Sequence, residues 1–364
     1  MGYHLKRHGL SSVAAITAVV TLVTIVLLAG SAAAANGTVF AVTNLVSDQP
    51  GVAQHVDPDL VNAWGLASLP TSPWWVADNG QSVSTLYRAD GSKVPLTVGV
   101  PDDPTGTVSN SGSSFAVKSG TNSAPALFIF ATENGEILGW NPNVAPNAVV
   151  AVPNADGAVY KGLAIASTPR GDRLYATDFH NGRVDVFDGS FTNVTEPGSF
   201  RDPLVPRGYA PFGIQNVNGR IFVTYAEQDS EGHDDVPGVG HGVLDIYSTS
   251  GVLLNRVAKG GLLNSPWGIA LAPDGFGDLG GDLLIGNFGD GRINVLTPAF
   301  RGGFLPIGQL LTTGSSHRLL TIDGLWALQF GKNAPNNGPA TTLFFTAGPD
   351  GESHGLFGTI TALP

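Results

Sequence analysis

The sequence predicts an all-β fold, specifically a six-bladed β-propeller with four strands per blade, on three observations. First, Gly and Pro number 49 and 25 in 364 residues, 42% of residues are apolar and only 13% are charged. Long solvated helices and coiled coils need far more Glu, Lys and Arg, and a disordered chain carries far less apolar side chain. Second, short apolar segments alternate with Gly/Asn/Asp turns along the chain. Third, this pattern recurs about every 50 residues, the length of one four-stranded blade.

The repeats are read from their first strands: Trp64-Gly65-Leu66-Ala67, Phe115-Ala116-Val117, Gly162-Leu163-Ala164, Phe212-Gly213-Ile214, Trp267-Gly268-Ile269-Ala270 and Leu325-Trp326-Ala327-Leu328. A second strand follows each: Trp74 to Ala77, Leu127 to Thr132, Leu174 to Thr177, Ile221 to Ala226, Leu283 to Gly286 and Leu343 to Ala347. Third strands come after a polar turn, as at Val83–Tyr87 and Val184–Phe187, and fourth strands are expected at Lys93–Val98, Ala148–Val152, Val252–Val257 and Leu305–Leu311. The sixth repeat ends after three strands, whereas Thr38–Val46 precedes the first repeat with no blade of its own. Pairing the two would close the ring and remove an exposed sheet edge. No linker divides the repeats, so residues 36–364 are expected to form one domain.

Residues 1–35 read as a secretory signal peptide. Lys6 and Arg7 give a basic start, Val13–Leu28 is an uncharged run, and Ala32–Ala35 offers small residues at a cleavage site before Asn36. The rival reading is an uncleaved anchor; the run is short for a span, which needs about 20 apolar residues. The chain is accordingly expected to be secreted to the extracellular space or the periplasm, with no membrane span after cleavage. It has no Cys, so a large core must hold it without disulfides. Residues 1–35 carry two positive charges and no acid, so their removal takes the formal net charge from −11 to −13. That balance argues against nucleic acid as a partner. The mature chain is expected to be a monomer.

Ser265-Pro266-Trp267-Gly268-Ile269-Ala270, followed by Asn287 and Gly291-Arg292-Ile293-Asn294-Val295, resembles an NHL-type repeat. So does Gly162-Leu163-Ala164 followed by Asn181-Gly182-Arg183-Val184-Asp185-Val186-Phe187. Over residues 38–363, Asn62-Ala63-Trp64-Gly65-Leu66, Trp74-Trp75-Val76-Ala77-Asp78-Asn79-Gly80 and His233-Asp234-Asp235-Val236 together resemble an uncharacterised family of secreted bacterial propeller proteins, some of which carry a C-terminal PEP-CTERM sorting tag. The resemblance implies a propeller fold and brings no established activity.

Candidate chemistry lies at the ends of the second strands: Asp78 with the adjacent Asn79, Glu133, Asp178, Glu227 and Asn287. Equivalent loops of a closed ring point to one end, so these groups are expected to surround one mouth of the central channel. Carboxylates at close range repel, and a cation would relieve them. The alternative is that each caps its own turn. The long connection Glu227–Gly242 adds His233, Asp234 and Asp235; carboxylates suit Ca²⁺, and His with carboxylates suits Zn²⁺ or Mn²⁺. Trp64, Trp267 and Trp326 are candidate channel aromatics, for stacking on a ligand or for packing. No G-x-S-x-G elbow or P-loop occurs. Two functions remain open: a binding propeller for an extracellular protein, glycan or small molecule, or a divalent-metal-dependent hydrolase or lactonase resembling the gluconolactonase-type propellers.

Overall fold

The computed structural model describes residues 1–2, 34–313 and 318–364. The signal-peptide expectation for residues 1–35 therefore falls almost wholly outside the described residues. Apart from the two short 3-10 turns Asn79–Gln81 and Phe300–Gly302, the regular structure of the described residues is all strand. Among them, no helix is long and apolar enough to cross a membrane.

The fold is a β-propeller. Ala63–Ala67 lies beside Pro104–Ser109, followed in turn by Tyr160–Thr168, Tyr209–Val217, Pro266–Leu271 and Leu325–Phe330, which returns to Ala63–Ala67. Antiparallel strands run outward from each; the first sheet continues through Trp74–Asp78, Val83–Tyr87 and Lys93–Gly99. The recurrent glycine of the first strand has a steric cause. A Cβ on Gly65, Gly213 or Gly268 would stand 2.3, 2.1 or 2.5 Å from the carbonyl oxygen of Thr105, Trp267 or Trp326 in the neighbouring first strand. The strands thus approach more closely than any side chain permits. Threonines fasten the same seam. Thr177 accepts from the Gly162 N–H and donates to the Phe212 carbonyl, both at 2.7 Å, and Thr346 donates to the Trp64 carbonyl.

Between the sheets, alternate strand residues face opposite neighbours. Trp75 stacks on Phe128 of the second sheet at 4.0 Å, while Trp74 meets Phe344 of the last sheet at 4.8 Å.

The N-terminal strand, Ala34–Ser47, pairs antiparallel with Leu356–Ala362 from Phe40–Ala362 to Ser47–Leu356, as expected of an unassigned strand beside an incomplete last repeat. It also pairs in parallel with Phe304–Thr312 through Val39–Leu311 and Phe40–Thr312. One strand therefore joins two sheets, a contact that the repeat pattern did not indicate. Asp48 completes the tie, taking the His354 ring at 2.7 Å and the Gly355 N–H at 2.9 Å.

Two details of the strand assignment change. The second sheet begins with Pro104–Ser109, not with Phe115-Ala116-Val117. Phe115 has φ +64° and leads into a separate hairpin, Ala116–Ser119 with Asn122–Pro125. Gly106 of Pro104–Ser109 makes the close approach, its Cβ position lying 2.4 Å from the Leu163 nitrogen. The third sheet has three strands, Tyr160–Thr168, Gly171–Asp178 and Arg183–Asp188. The segment after Asp188 does not lie down as a full fourth strand; it contributes the Phe187–Asn193 bridge, the Val194 N–H to Val186 carbonyl bond and the Thr195 hydroxyl that accepts the Val186 N–H.

Candidate functional site

The residue before the first-strand glycine enters the space around the axis. In successive first strands it is Trp64, Thr105, Lys161, Phe212 and Trp267, with Trp326 preceding Ala327. The aromatic members form a plug. Trp64 stacks on Trp326 at 3.8 Å, Phe288 stacks on Trp326 at 3.9 Å, and Trp267 meets both tryptophans edge-on. Trp64 and Trp326 are buried and Trp267 is half-buried. Two indole N–H groups are satisfied, Trp326 by Asn62 Oδ1 at 3.0 Å and Trp267 by the Lys161 carbonyl at 3.1 Å.

Lys161 is the exception in this row. Its side chain is 2% exposed, and its Nζ lies 5.1 Å from the centre of the Trp64 ring. It donates to Glu133 Oε1 and, at 3.2 Å, to Asp234 Oδ1. Burial alone would lower an ammonium's pKa, but the two carboxylates outweigh it and hold Lys161 above its ordinary value.

The network extends through amides. Asn79 donates to Glu133 Oε2 at 2.9 Å; Asn62 donates to Asn79 Oδ1 at 3.0 Å and to Glu352 Oε2 at 2.7 Å. Burial raises the Glu352 carboxyl, the Asn62 bond only partly offsets it, and the nearby Glu133 adds to the rise. On the other side, His233 Nδ1 lies 3.0 Å from Asp234 Oδ1. Burial pushes Asp234 up, but Lys161 and His233 outweigh it, so its pKa is lowered. The Glu227–Gly242 connection reaches this point because the Gln228–Asp235 bridge folds it back and Asp229 accepts the Glu231 and His233 N–H groups. Asp235 lies behind, beside Ser265, its carboxyl pushed up to about 6 by burial despite Ser265 and Lys161.

The structure thus brings Asn79, Glu133, His233 and Asp234 together. It holds the other candidates apart. Asp78 is fully buried and accepts the Thr85 N–H at 2.8 Å; burial raises its carboxyl well above the usual range. Asp178 is equally buried and takes both the N–H and the side-chain amide of Asn181, at 3.1 and 2.8 Å. Asn287 bonds the Leu262 carbonyl, Asp290 and Asn294. These three serve turns and strands of their own sheets. Glu227 stands at the base of its loop, 2.9 Å from His241 Nδ1.

Lys161, Asn62 and Glu352 escaped the sequence reading. Lys161 had a signal: it is a charge at the position where four other repeats carry an aromatic residue. Glu352 had none, since it belongs to a turn after the last second strand and converges only through ring closure.

Chemically, the mouth is a set of hydrogen-bond acceptors (Glu133, Asp234, Glu352) around a buried ammonium, over an aromatic floor. Glu133, His233 and Asp234 also present potential metal-ligand atoms within 4.8 Å of one another.

The fold and this mouth define the class, a β-propeller with a plugged, polar-rimmed channel. Among solved structures the chain is similar to a glucose dehydrogenase (TM-score 0.52, 14% identity, 87% of this chain and 99% of that one) and to the soluble aldose sugar dehydrogenase of Escherichia coli in its apo form (TM-score 0.52, 12% identity, 89% and 100%). At such identities the likeness is one of fold alone. The chain belongs to the same family as two Acanthamoeba polyphaga mimivirus proteins. It is 33% identical to uncharacterized protein R648 over 338 residues (89% of this chain, 80% of the relative) and 32% identical to uncharacterized protein L690 over 339 residues (88% and 85%). These relatives are viral, whereas the motif resemblance pointed to a bacterial family. No family model matches the chain.

Proposed function

We propose that the protein is an extracellular or periplasmic binding propeller whose ligand sits at the Lys161 mouth. One observation carries this reading: the Lys161 ammonium already occupies the centre of the acidic set, in contact with Glu133 and Asp234. A divalent cation at the same carboxylates would meet a fixed positive charge a few ångströms away. The acceptor capacity left on Glu133, Asp234 and Glu352, with the Asn62 and Asn79 amides, suits the hydroxyl or amine groups of a polar ligand such as a glycan, a small molecule or a side chain of a partner protein.

The second reading, a divalent-metal-dependent hydrolase or lactonase, is favoured by the spacing of Glu133, His233 and Asp234 and requires Lys161 to yield its place. Elemental analysis of protein purified without chelator separates the two. Substoichiometric Ca, Zn and Mn is expected. Stoichiometric metal that is lost in Glu133→Gln would overturn the binding reading.

The finer architecture belongs to the same proposal. A six-bladed ring is supported by the circuit of first strands, from Ala63–Ala67 through Leu325–Phe330 and back. Export is supported by the sequence layout and is compatible with the strand Ala34–Ser47: cleavage near Ala35 leaves every pair from Val39 onward in place. Intact-mass measurement of exported protein is expected to give an N-terminus near Asn36, and a retained Met1 would refute it.

A further inference from the structure

The third sheet ends at its third strand, Arg183–Asp188, and the segment after it lies along that edge. A cleft of about 380 Å³ opens there, between the Thr168–Arg173 hairpin and the Thr249–Ser250 turn of the next sheet. Drug-sized ligands occupy sites of about 300–1,000 Å³. Its apolar lining comes from Val186, Val194 and Phe200.

The missing strand does not leave the backbone unsatisfied at this point. Val194 donates to the Val186 carbonyl at 2.7 Å, and the Thr195 hydroxyl accepts the Val186 N–H at 2.8 Å. An added peptide strand would find no open hydrogen-bonding edge at Val186, so β-augmentation is not the use of this cleft. What remains open is guanidinium donor capacity. Arg170 and Arg173 both line the cleft, and neither has a carboxylate ion-pair partner among the described residues. Arg173 spends one donor on the Asp172 carbonyl at 2.9 Å, leaving the rest of its fork. Two unpaired guanidinium groups flanking an apolar floor are unusual in a chain of formal net charge −11. Glu196 on the rim and Asp172 beside Arg173 balance the formal charge, so what the cleft offers is guanidinium donors rather than a net positive surplus.

We infer that this cleft binds a small organic anion: a carboxylate or phosphate group held in the guanidinium forks, where bidentate bonding is strongest, on an apolar body resting against Val186, Val194 and Phe200. The inference is independent of the Lys161 mouth.

Titration calorimetry with phenyl phosphate and with benzoate tests it and separates the two anion types; inorganic phosphate and phenol test the two halves alone. Saturable binding of at least one aromatic anion is expected, with both halves at least about tenfold weaker. Arg170→Ala/Arg173→Ala is expected to abolish that binding while the protein still unfolds in one transition, Arg170 being exposed and Arg173 half-buried. Leu305→Ala, an exposed site on the strand Phe304–Thr312 that does not line the cleft, is expected to leave binding unchanged. No saturable binding of either aromatic anion, equal affinity for inorganic phosphate, or binding that survives the double substitution would each overturn the inference.

Discussion

Lys161 Nζ lies 3.2 Å from Asp234 Oδ1, joining the innermost strand of one sheet to the long loop of the next. Because Lys161 is also paired with Glu133, a single buried ammonium ties together three parts of the ring. Removing one partner of a buried pair leaves an uncompensated charge, at a cost of about 3–5 kcal/mol. Glu133→Gln, which leaves the buried Lys161 ammonium with only the exposed Asp234 carboxylate, is expected to lose stability of that order in denaturant unfolding. Asp234→Asn, whose carboxylate is 66% exposed, should cost less than about 1 kcal/mol. If both variants unfold alike, the pairing does not anchor the mouth.

The seam between first strands makes a steric prediction. Gly213→Ala would place a methyl 2.1 Å from the Trp267 carbonyl oxygen, whereas the contact at Gly162 is 2.8 Å, to the Phe212 oxygen. Overpacking typically costs about 1–3 kcal/mol. Gly213→Ala is therefore expected to lower the melting temperature more than Gly162→Ala. The reverse order would mean that the seam relaxes freely.

Ring closure by the N-terminal strand is tested by deletion. Removing residues 36–47 exposes the edges of both Leu356–Ala362 and Phe304–Thr312, since that strand pairs with each. A single unfolding transition at markedly lower temperature is expected, with a tendency to aggregate. An unchanged melting curve would show that the strand merely covers the sheets.

A pH dependence arises at Asp245, in the third strand of the fourth sheet. Burial, together with Asp202, pushes its carboxyl up to about 7, partly countered by the Tyr247 hydroxyl. Its pKa in the unfolded chain is near 3.8, so between those values the folded form holds a proton that the unfolded form has lost. This group's contribution to stability is full below the unfolded pKa and falls as pH rises to about 7. Asp245→Asn should flatten that part of the profile of melting temperature against pH. An unaltered slope would assign the dependence to other groups.

How far the site could be read in advance differs residue by residue. Asn79 and Glu133 follow second strands and do meet, as topology demanded. Asp78 and Asp178 occupy comparable positions but are buried in their own sheets, because the last residue of a strand and the first of a turn point in different directions, a distinction of one residue that repeat alignment does not resolve. The long loop announced itself by length and acidity, yet only its Gln228–Asp235 bridge decided that His233 and Asp234, rather than Glu227, would face Lys161.

The sequence by itself determined the all-β class, the repeat, and the glycine of four of the six first strands (Gly65, Gly162, Gly213 and Gly268), since local periodicity and backbone sterics are written in neighbouring residues. It also determined that Thr38–Val46 would seek the last sheet, because a lone apolar strand and an incomplete repeat have one economical solution. Only the tertiary structure decided that Pro104–Ser109 starts the second sheet, that the third stops at three strands and leaves a cleft, and that Asn62, Lys161 and Glu352 meet. Those outcomes depend on which groups, hundreds of residues apart in some cases, are brought within hydrogen-bonding distance when the ring closes, and on the burial that makes a charge at the axis tolerable only when it is paired.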